Sequence, residues 1–298
     1  MIGDFGSFGG LVYEDMEIQD ADILLIGVPY EGGTSGNKGT SFAPYEIRKF
    51  STDLQTMTRY SLDLNDIAIL DMGDISIYPL NDEMTREKIT KTFDGIFENE
   101  KPIITIGGDH SITYPIIKSL SNRGKVGVIW FDAHRDLLDE LINSKYSHGS
   151  SLRRSIELDN VNSEDIMLIG TRYMEQTEQL FIENNDIYEL RMVDLEENKF
   201  DLTDFEKQIN KIAKRVDYLY VSIDIDVLDP AFIPGTGTPV GGGMTSSQLY
   251  KMIKCIPSKV TAFDITEVSP PGDQSLTTVK TTLGLITEIL GQIKLLRE

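Results

Sequence analysis

Eight short apolar runs are spaced along the chain, and most lack the strict alternation of a half-buried strand. They are DILLIGVP (22–29), DIAILDMG (66–73), PIITIGG (102–108), KVGVIWFD (125–132), IMLIGT (166–171), IYELRM (187–192), YLYVSID (218–224) and VTAFDIT (260–266). Near-continuous apolar runs of this length predict strands covered on both faces. Between several of them the period lengthens to that of a helix. Residues 84–99 place Ile89, Phe93, Ile96 and Phe97 on one stripe, and residues 203–216 do the same with Phe205, Ile209, Ile212 and Val216. Thr203 with Glu206, and Thr245 with Gln248 ahead of the 245–256 segment, have the spacing of capping boxes. Residues 278–296 form a further long helix-period stretch. Strands alternating with helices predict a parallel sheet between helical layers. A closed eight-stranded barrel has the same periodicity and remains open at this point. With no linker-like shift in composition and no internal repeat, residues 1–298 read as one domain.

Charge narrows the partners. The 298 residues carry 48 Asp+Glu against 28 Lys+Arg, a formal net charge of −20. Such a chain repels nucleic acid and anionic membranes and admits small cations. A single cysteine, Cys255 in a helical apolar pattern, excludes an intrachain disulfide and fits a reducing compartment. The start, MIGDFGSFGG, has neither the basic nor the apolar region of a signal peptide, and no apolar run approaches the roughly 20 residues of a membrane span. A cytoplasmic protein is expected.

The ionisable residues then fall in a pattern. In WFDAHRDL (130–137), Asp132, His134 and Asp136 alternate at the end of an apolar run, so an extended backbone turns them to one side. His110 follows the 102–108 run in GGDHS, Asp224 and Asp226 close the 218–224 run in SIDIDVLDP, and Glu267 follows the 260–266 run. The chain has three histidines, and the third, His148, lies twelve residues beyond Asp136. A parallel sheet gathers its carboxyl ends on one edge. Four aspartates and two histidines in one cleft repel unless cations stand between them. Two divalent ions balance four carboxylates, and hard oxygen donors with imidazole and no thiolate suit Mn²⁺.

GGDHS, FDAHRD and SIDIDVLDPAFIPGTGTPVGGG (222–243) together resemble the ureohydrolases, the arginase and agmatinase family, and the resemblance spans the chain from VPYEGGTSGNKGTSFAPYEIR (28–48) to the C-terminal helix. It implies an arginase-like three-layer α/β/α sandwich with an eight-stranded parallel sheet, which decides against the barrel. It implies two Mn²⁺ per chain, one held by His110, Asp132, Asp136 and Asp224, the other by Asp132, His134, Asp224 and Asp226. It implies hydrolysis of a small cationic guanidinium compound by water that the metals make acidic, with Asp136 aiming that water. By the same resemblance His148 is a proton shuttle at the mouth, Glu267 pairs with the guanidinium, and the chain assembles as a homotrimer or hexamer.

Agmatine, hydrolysed to urea and putrescine, is the expected substrate. The stretch LLDELINSKYSH (137–148) lacks the Ser/Thr/Asn run with which arginases receive an α-carboxylate, and Asp139 and Glu140 favour a second cation. GTSGNKGTSFAP (33–44) departs from the usual Arg-Gly-Ala-x-x-Gly-Pro pattern, and Arg153 and Arg154 are candidate carboxylate partners. Arginase, guanidinobutyrase or guanidinopropionase activity, and a non-catalytic metal-binding homologue, are the alternatives. A deacetylase on a related fold requires adjacent histidines, which the chain lacks.

Overall fold

A computed structural model describes Phe8, residues 16–257 and residues 259–295. All eight apolar runs form strands: β1 (Ile23–Gly27), β2 (Ile69–Asp74), β3 (Ile103–Ile106), β4 (Val126–Phe131), β5 (Ile166–Ile169), β6 (Tyr188–Leu190), β7 (Tyr218–Asp224) and β8 (Val260–Thr266). Every pairing is parallel, and the order across the sheet is β2-β1-β3-β8-β7-β4-β5-β6. The fold is therefore the expected arginase-like α/β arrangement and not a closed barrel. β2 and β6 stand at opposite edges.

Alternate residues of each strand feed two separate cores. Ile23, Leu25, Ile129 and Phe131 face one, and Leu24, Ile26, Val128 and Trp130 face the other. Against the first pack α1 (Ala43–Lys49), α6 (Met192–Glu197), α7 (Thr203–Ala213), α8 (Ser246–Ile253) and α9 (Thr277–Leu295), through residues such as Ile47, Leu195, Phe205, Leu249 and Ile286. Against the second pack α2 (Asp82–Ile96), α3 (Thr113–Ser121), α4 (Ser151–Ile156) and α5 (Gln176–Glu183), through Phe93, Ile116, Leu152 and Phe181. This double burial is why the strands read as continuous apolar runs.

The cap expected at Thr245 is present: Thr245 Oγ1 accepts from the Gln248 amide at 3.2 Å, and the Thr245 amide donates to Gln248 Oε1 at 2.8 Å. The one expected at Thr203 is not. Asp201 Oδ1 takes both the Thr203 amide at 3.0 Å and its hydroxyl at 2.6 Å. A carboxylate two residues upstream outcompetes the hydroxyl, and Thr203 becomes the first helical residue. The helix expected at 84–99 begins at Asp82, capped by Asn81, whose Oδ1 accepts from the Met84 amide at 3.0 Å. The N-terminal stretch read for a signal peptide lies outside the described residues, apart from buried Phe8.

The topology fixes where the site falls. β3, β8, β7 and β4 are consecutive in the sheet. At about 4.8 Å per strand, their carboxyl ends span only about 14 Å. The chain reaches this centre twice: it leaves β3 for β4, runs outward through β5 and β6, then returns to lay β7 and β8 between them.

Candidate active site

The ends of those four strands bring the expected residues together. After β3, the buried His110 opens a tight turn that Asp109 caps by accepting from the Ser111 amide at 3.0 Å. His110 Nδ1 stands 3.1 Å from Asp132, 3.2 Å from Asp136 and 3.2 Å from Asp224. His134 Nδ1 stands 3.3 Å from Asp132 and 3.1 Å from Asp226. The ligand atoms of His110, Asp132 and Asp224 fall within 4.8 Å of one another, and so do those of Asp132, His134 and Asp226, with Asp132 in both groups. Asp224, expected to be shared like Asp132, falls in the first group only, and Asp136 stands beside that group at His110.

Hydrogen bonds fix Asp132, Asp226 and His110 from behind. Trp130 Nε1 donates to Asp132 Oδ2 at 2.9 Å, and the Trp130 ring stacks on His110 at 4.0 Å. The Ala133 amide donates to Asp226 at 3.1 Å. Ser222 Oγ lies 2.8 Å from His110 Nε2 and donates to the buried Asp264 at 2.6 Å. A hydroxyl has one proton, so Ser222 accepts from Nε2–H and His110 presents its Nδ1 lone pair to the carboxylates.

The electrostatics show a shortage of positive charge. Burial and the neighbouring Asp132 push the Asp136 carboxyl up to about 7. Burial and repulsion from Asp226 and Asp132 hold Asp224 well above the usual range. Burial opposes protonation of His134 and His110, but the aspartates around them prevail, raising His134 to about 12 and His110 well above its ordinary value. Asp132 moves down: its burial is outweighed by contact with both imidazoles. His110 Nδ1 has no hydrogen-bond partner although it is buried. A hard, oxygen-rich donor set with a lone pair aimed at its centre fits divalent cations.

Beside the aspartates lies a cavity of about 320 Å³. Asp136, His134 and His148 line it, as do residues that the sequence reading did not single out: Ser35, Tyr173, Glu175, Glu178 and Thr238. Tyr173 sets its ring against His134 at 5.4 Å. Thr238 donates to Asp226 at 3.2 Å from within the 222–243 motif, the one signal that points to it. The lining contains neither Asp139 nor Glu140, on which the expected preference for a cationic tail rested. Asp139 pairs with Arg154 at 2.8 Å, and Arg153 sits over the Phe181 ring at 3.8 Å. Neither arginine lines the cavity.

Glu267 is fully buried and sits behind His148, outside the cavity lining. Its Oε1 accepts from the His110 amide at 2.9 Å and contacts His148 Nδ1 at 3.2 Å. Among the described residues its Oε2 has no partner, and it faces Gly237, where a Cβ would stand 3.0 Å from it. Burial works against protonation of His148, but the Glu267 bond outweighs it and raises the imidazole to about 9. Asp136 and Glu267 have φ of 54° and 60°, left-handed values costly for residues with a Cβ.

Residues 21–291 match the Arginase family, and the chain belongs to that family of ureohydrolases. It is 32% identical to the guanidinobutyrase of Pseudomonas aeruginosa over 95% of this chain and 92% of that protein. It is also 32% identical to the agmatinase of Bacillus subtilis, over 92% of each. Among solved structures, a putative agmatinase from Clostridium difficile superposes with a TM-score of 0.83 at 30% identity, covering 93% of this chain and 98% of that one. The family defines an amidinohydrolase of guanidino compounds; equal identity to relatives named for different substrates leaves the tail of the substrate to the chain's own residues.

Proposed function

We propose that the protein is a binuclear Mn²⁺ agmatinase, releasing urea and putrescine from agmatine. The observation that carries the metal chemistry is the pair of His/Asp groups sharing Asp132 beside a cavity. His110, Asp132, Asp136 and Asp224 would hold one ion, and Asp132, His134, Asp224 and Asp226 the other. When bound, such ions supply water of lowered pKa as a nucleophile near neutral pH. Asp136 would orient water there and accept its proton. Glu267, whose Oε2 has no partner among the described residues, would receive the guanidinium only on moving out from behind His148, and His148 protonates the leaving nitrogen.

Residues of the cavity wall favour a cationic tail. Glu175 and Glu178 line the cavity with Tyr173, and among the described residues no Lys or Arg does. Glu178 spends its oxygens on the Leu137 and Glu175 amides, at 3.0 and 3.1 Å, so Glu175 is the acid left for a terminal ammonium. A carboxylate in the same place meets like charge. Urea release from agmatine, arginine, 4-guanidinobutyrate and 3-guanidinopropionate, with Mn²⁺ present, tests the assignment. Faster turnover of any of the three acids than of agmatine overturns it. The protein is read as one cytoplasmic domain forming a trimer or hexamer, and no described helix is long and apolar enough to cross a membrane.

A further inference from the structure

Ser35 is bonded twice to the ring nitrogen of His148 that Glu267 leaves free. Its hydroxyl lies 2.8 Å from Nε2, and its amide donates to the same atom at 3.1 Å. The segment carrying it is anchored independently. The His148 amide donates to Gly33 O at 2.9 Å, and the Gly33 amide donates to the buried Asp109 at 2.7 Å. Gly33 has no room for a side chain, since a Cβ there would come within 2.4 Å of Ser111 Oγ. The Asn37 amide ties the far side to Gly237 O at 3.1 Å. Ser35 and His148 both line the cavity.

An amide can only donate, so in this arrangement Nε2 offers its lone pair and the ring proton sits on Nδ1, toward Glu267. A second proton arriving at Nε2 faces Ser35 and displaces the amide bond, while the hydroxyl can turn and accept it. We propose that Ser35 is a positioning and relay residue for the His148 proton, a role that rests on the ureohydrolase reading of the site. As the C–N bond of the tetrahedral intermediate breaks, its electron pair passes to the leaving nitrogen. That nitrogen takes the Ser35 Oγ proton while Oγ takes the Nε2 proton. Ser35 ends unchanged and His148 ends neutral. The amide has a second effect. Glu267, Asp136 and Asp109 face His148 and all favour its charged form. The Ser35 amide opposes them, which keeps the imidazolium acidic enough to give its proton away.

The test compares Ser35→Ala, which keeps the amide and removes the hydroxyl, with Ser35→Thr, which keeps both. Mn²⁺-loaded enzyme is assayed on agmatine and on 4-guanidinobutyrate. Ser35→Ala is expected to lower kcat by roughly 10- to 100-fold, with KM and bound Mn²⁺ little changed. The alkaline limb of its kcat profile should move to lower pH, because the imidazolium has lost its acceptor. Ser35→Thr should recover most of the rate. An unchanged kcat, or a loss that Ser35→Thr shares in full, overturns the proposal. If the parent enzyme turns over neither compound, the functional reading fails by itself. Ring ¹⁵N spectra then decide the contact, since the chain has three histidines to assign. The His148 Nε2 resonance is expected to move in Ser35→Ala, and a resonance that stays put overturns the placement.

Discussion

Asp264 lies two hydrogen bonds from the candidate metal site, and Asp264→Asn should weaken metal binding without touching a proposed ligand. The carboxylate is fully buried and accepts three hydroxyl protons, from Thr113, Tyr220 and Ser222, each at 2.6 Å. A carboxylate only accepts, so it sets the direction of all three bonds, and through Ser222 it keeps the His110 proton on Nε2. An asparagine brings two N–H donors to the same space. Where its amide nitrogen faces Ser222, the hydroxyl must reverse and donate to His110 Nε2. The ring proton then moves to Nδ1, the atom aimed at Asp132, Asp136 and Asp224. A metal ion would have to displace that proton or turn the ring. Support groups behind metal-bound histidines are worth about 10- to 100-fold in affinity, or roughly 1.4 to 2.8 kcal/mol at 1.4 kcal/mol per factor of ten. Calorimetric titration of metal-free protein with Mn²⁺ reads this directly, and urea unfolding of the same sample reports whether the fold survives. Only the ion held by His110 should weaken; the site around His134 should keep its affinity. Equal Mn²⁺ affinity at both sites in parent and variant would refute the tautomer argument.

Elemental analysis of the Mn²⁺-reconstituted enzyme should give two ions per chain, and Asp132→Ala, which strips the residue common to both groups, should retain less than one. His148→Asn should lower kcat by roughly 10²- to 10⁴-fold with metal content intact. In the parent, the acid on His148 is present below its raised value and lost as the pH climbs through about 9, so an alkaline limb is expected there and should vanish in the variant. The same shift adds folding stability that is full below the ordinary histidine value near 6.5 and fades toward about 9. Glu175→Gln should raise KM for agmatine more than for 4-guanidinobutyrate; an equal change for both would remove Glu175 from tail recognition. Gly108→Ala should cost about 3 kcal/mol or more in urea unfolding, because its Cβ would stand 1.7 Å from the Tyr30 carbonyl oxygen.

The strands and the His/Asp cluster were legible because each rests on a short-range signal. Two-sided burial writes continuous apolar runs, and FDAHRD and SIDID end two of them, so their carboxylates fall at the sheet edge; strand alternation does not place them, since β4 stops at Phe131, Asp136 is left-handed and Asp226 lies in a 3-10 turn. Helix α3 was not legible by its stripe. Thr113, Pro115, Ile116, Ile117, Ser119, Leu120 and Ser121 are all buried, so no polar face marks its period. The cavity wall escaped for another reason. Ser35, Thr238 and Glu175 come from three loops far apart in sequence, and only the strand order places them together. Asp139 and Glu140 illustrate the converse. They lie three and four residues beyond Asp136, yet neither reaches the cavity, and Asp139 turns to Arg154. Proximity in sequence to a metal motif says little about side-chain direction once the backbone leaves the strand.

The two left-handed residues explain why that departure happens where it does. Asp136 and Glu267 hold positive φ five residues past β4 and one residue past β8, at a cost of order 1–3 kcal/mol each. Glycine would adopt the same backbone freely, so the side chains must repay the strain. Asp136 does so at 3.2 Å from His110, and Glu267 by joining the His110 amide to His148. The neighbouring structure holds both bends. Next to Asp136, the Arg135 guanidinium is buried against Glu189 at 2.7 Å and Gln179 at 2.8 Å, on the side of α5 and β6. The Glu267 amide is bound to Gly108 O at 2.9 Å, beside the glycine that only a bare Cα can fill. Strain in the ligand turns is thus carried by rigid parts of the sheet that take no part in the chemistry.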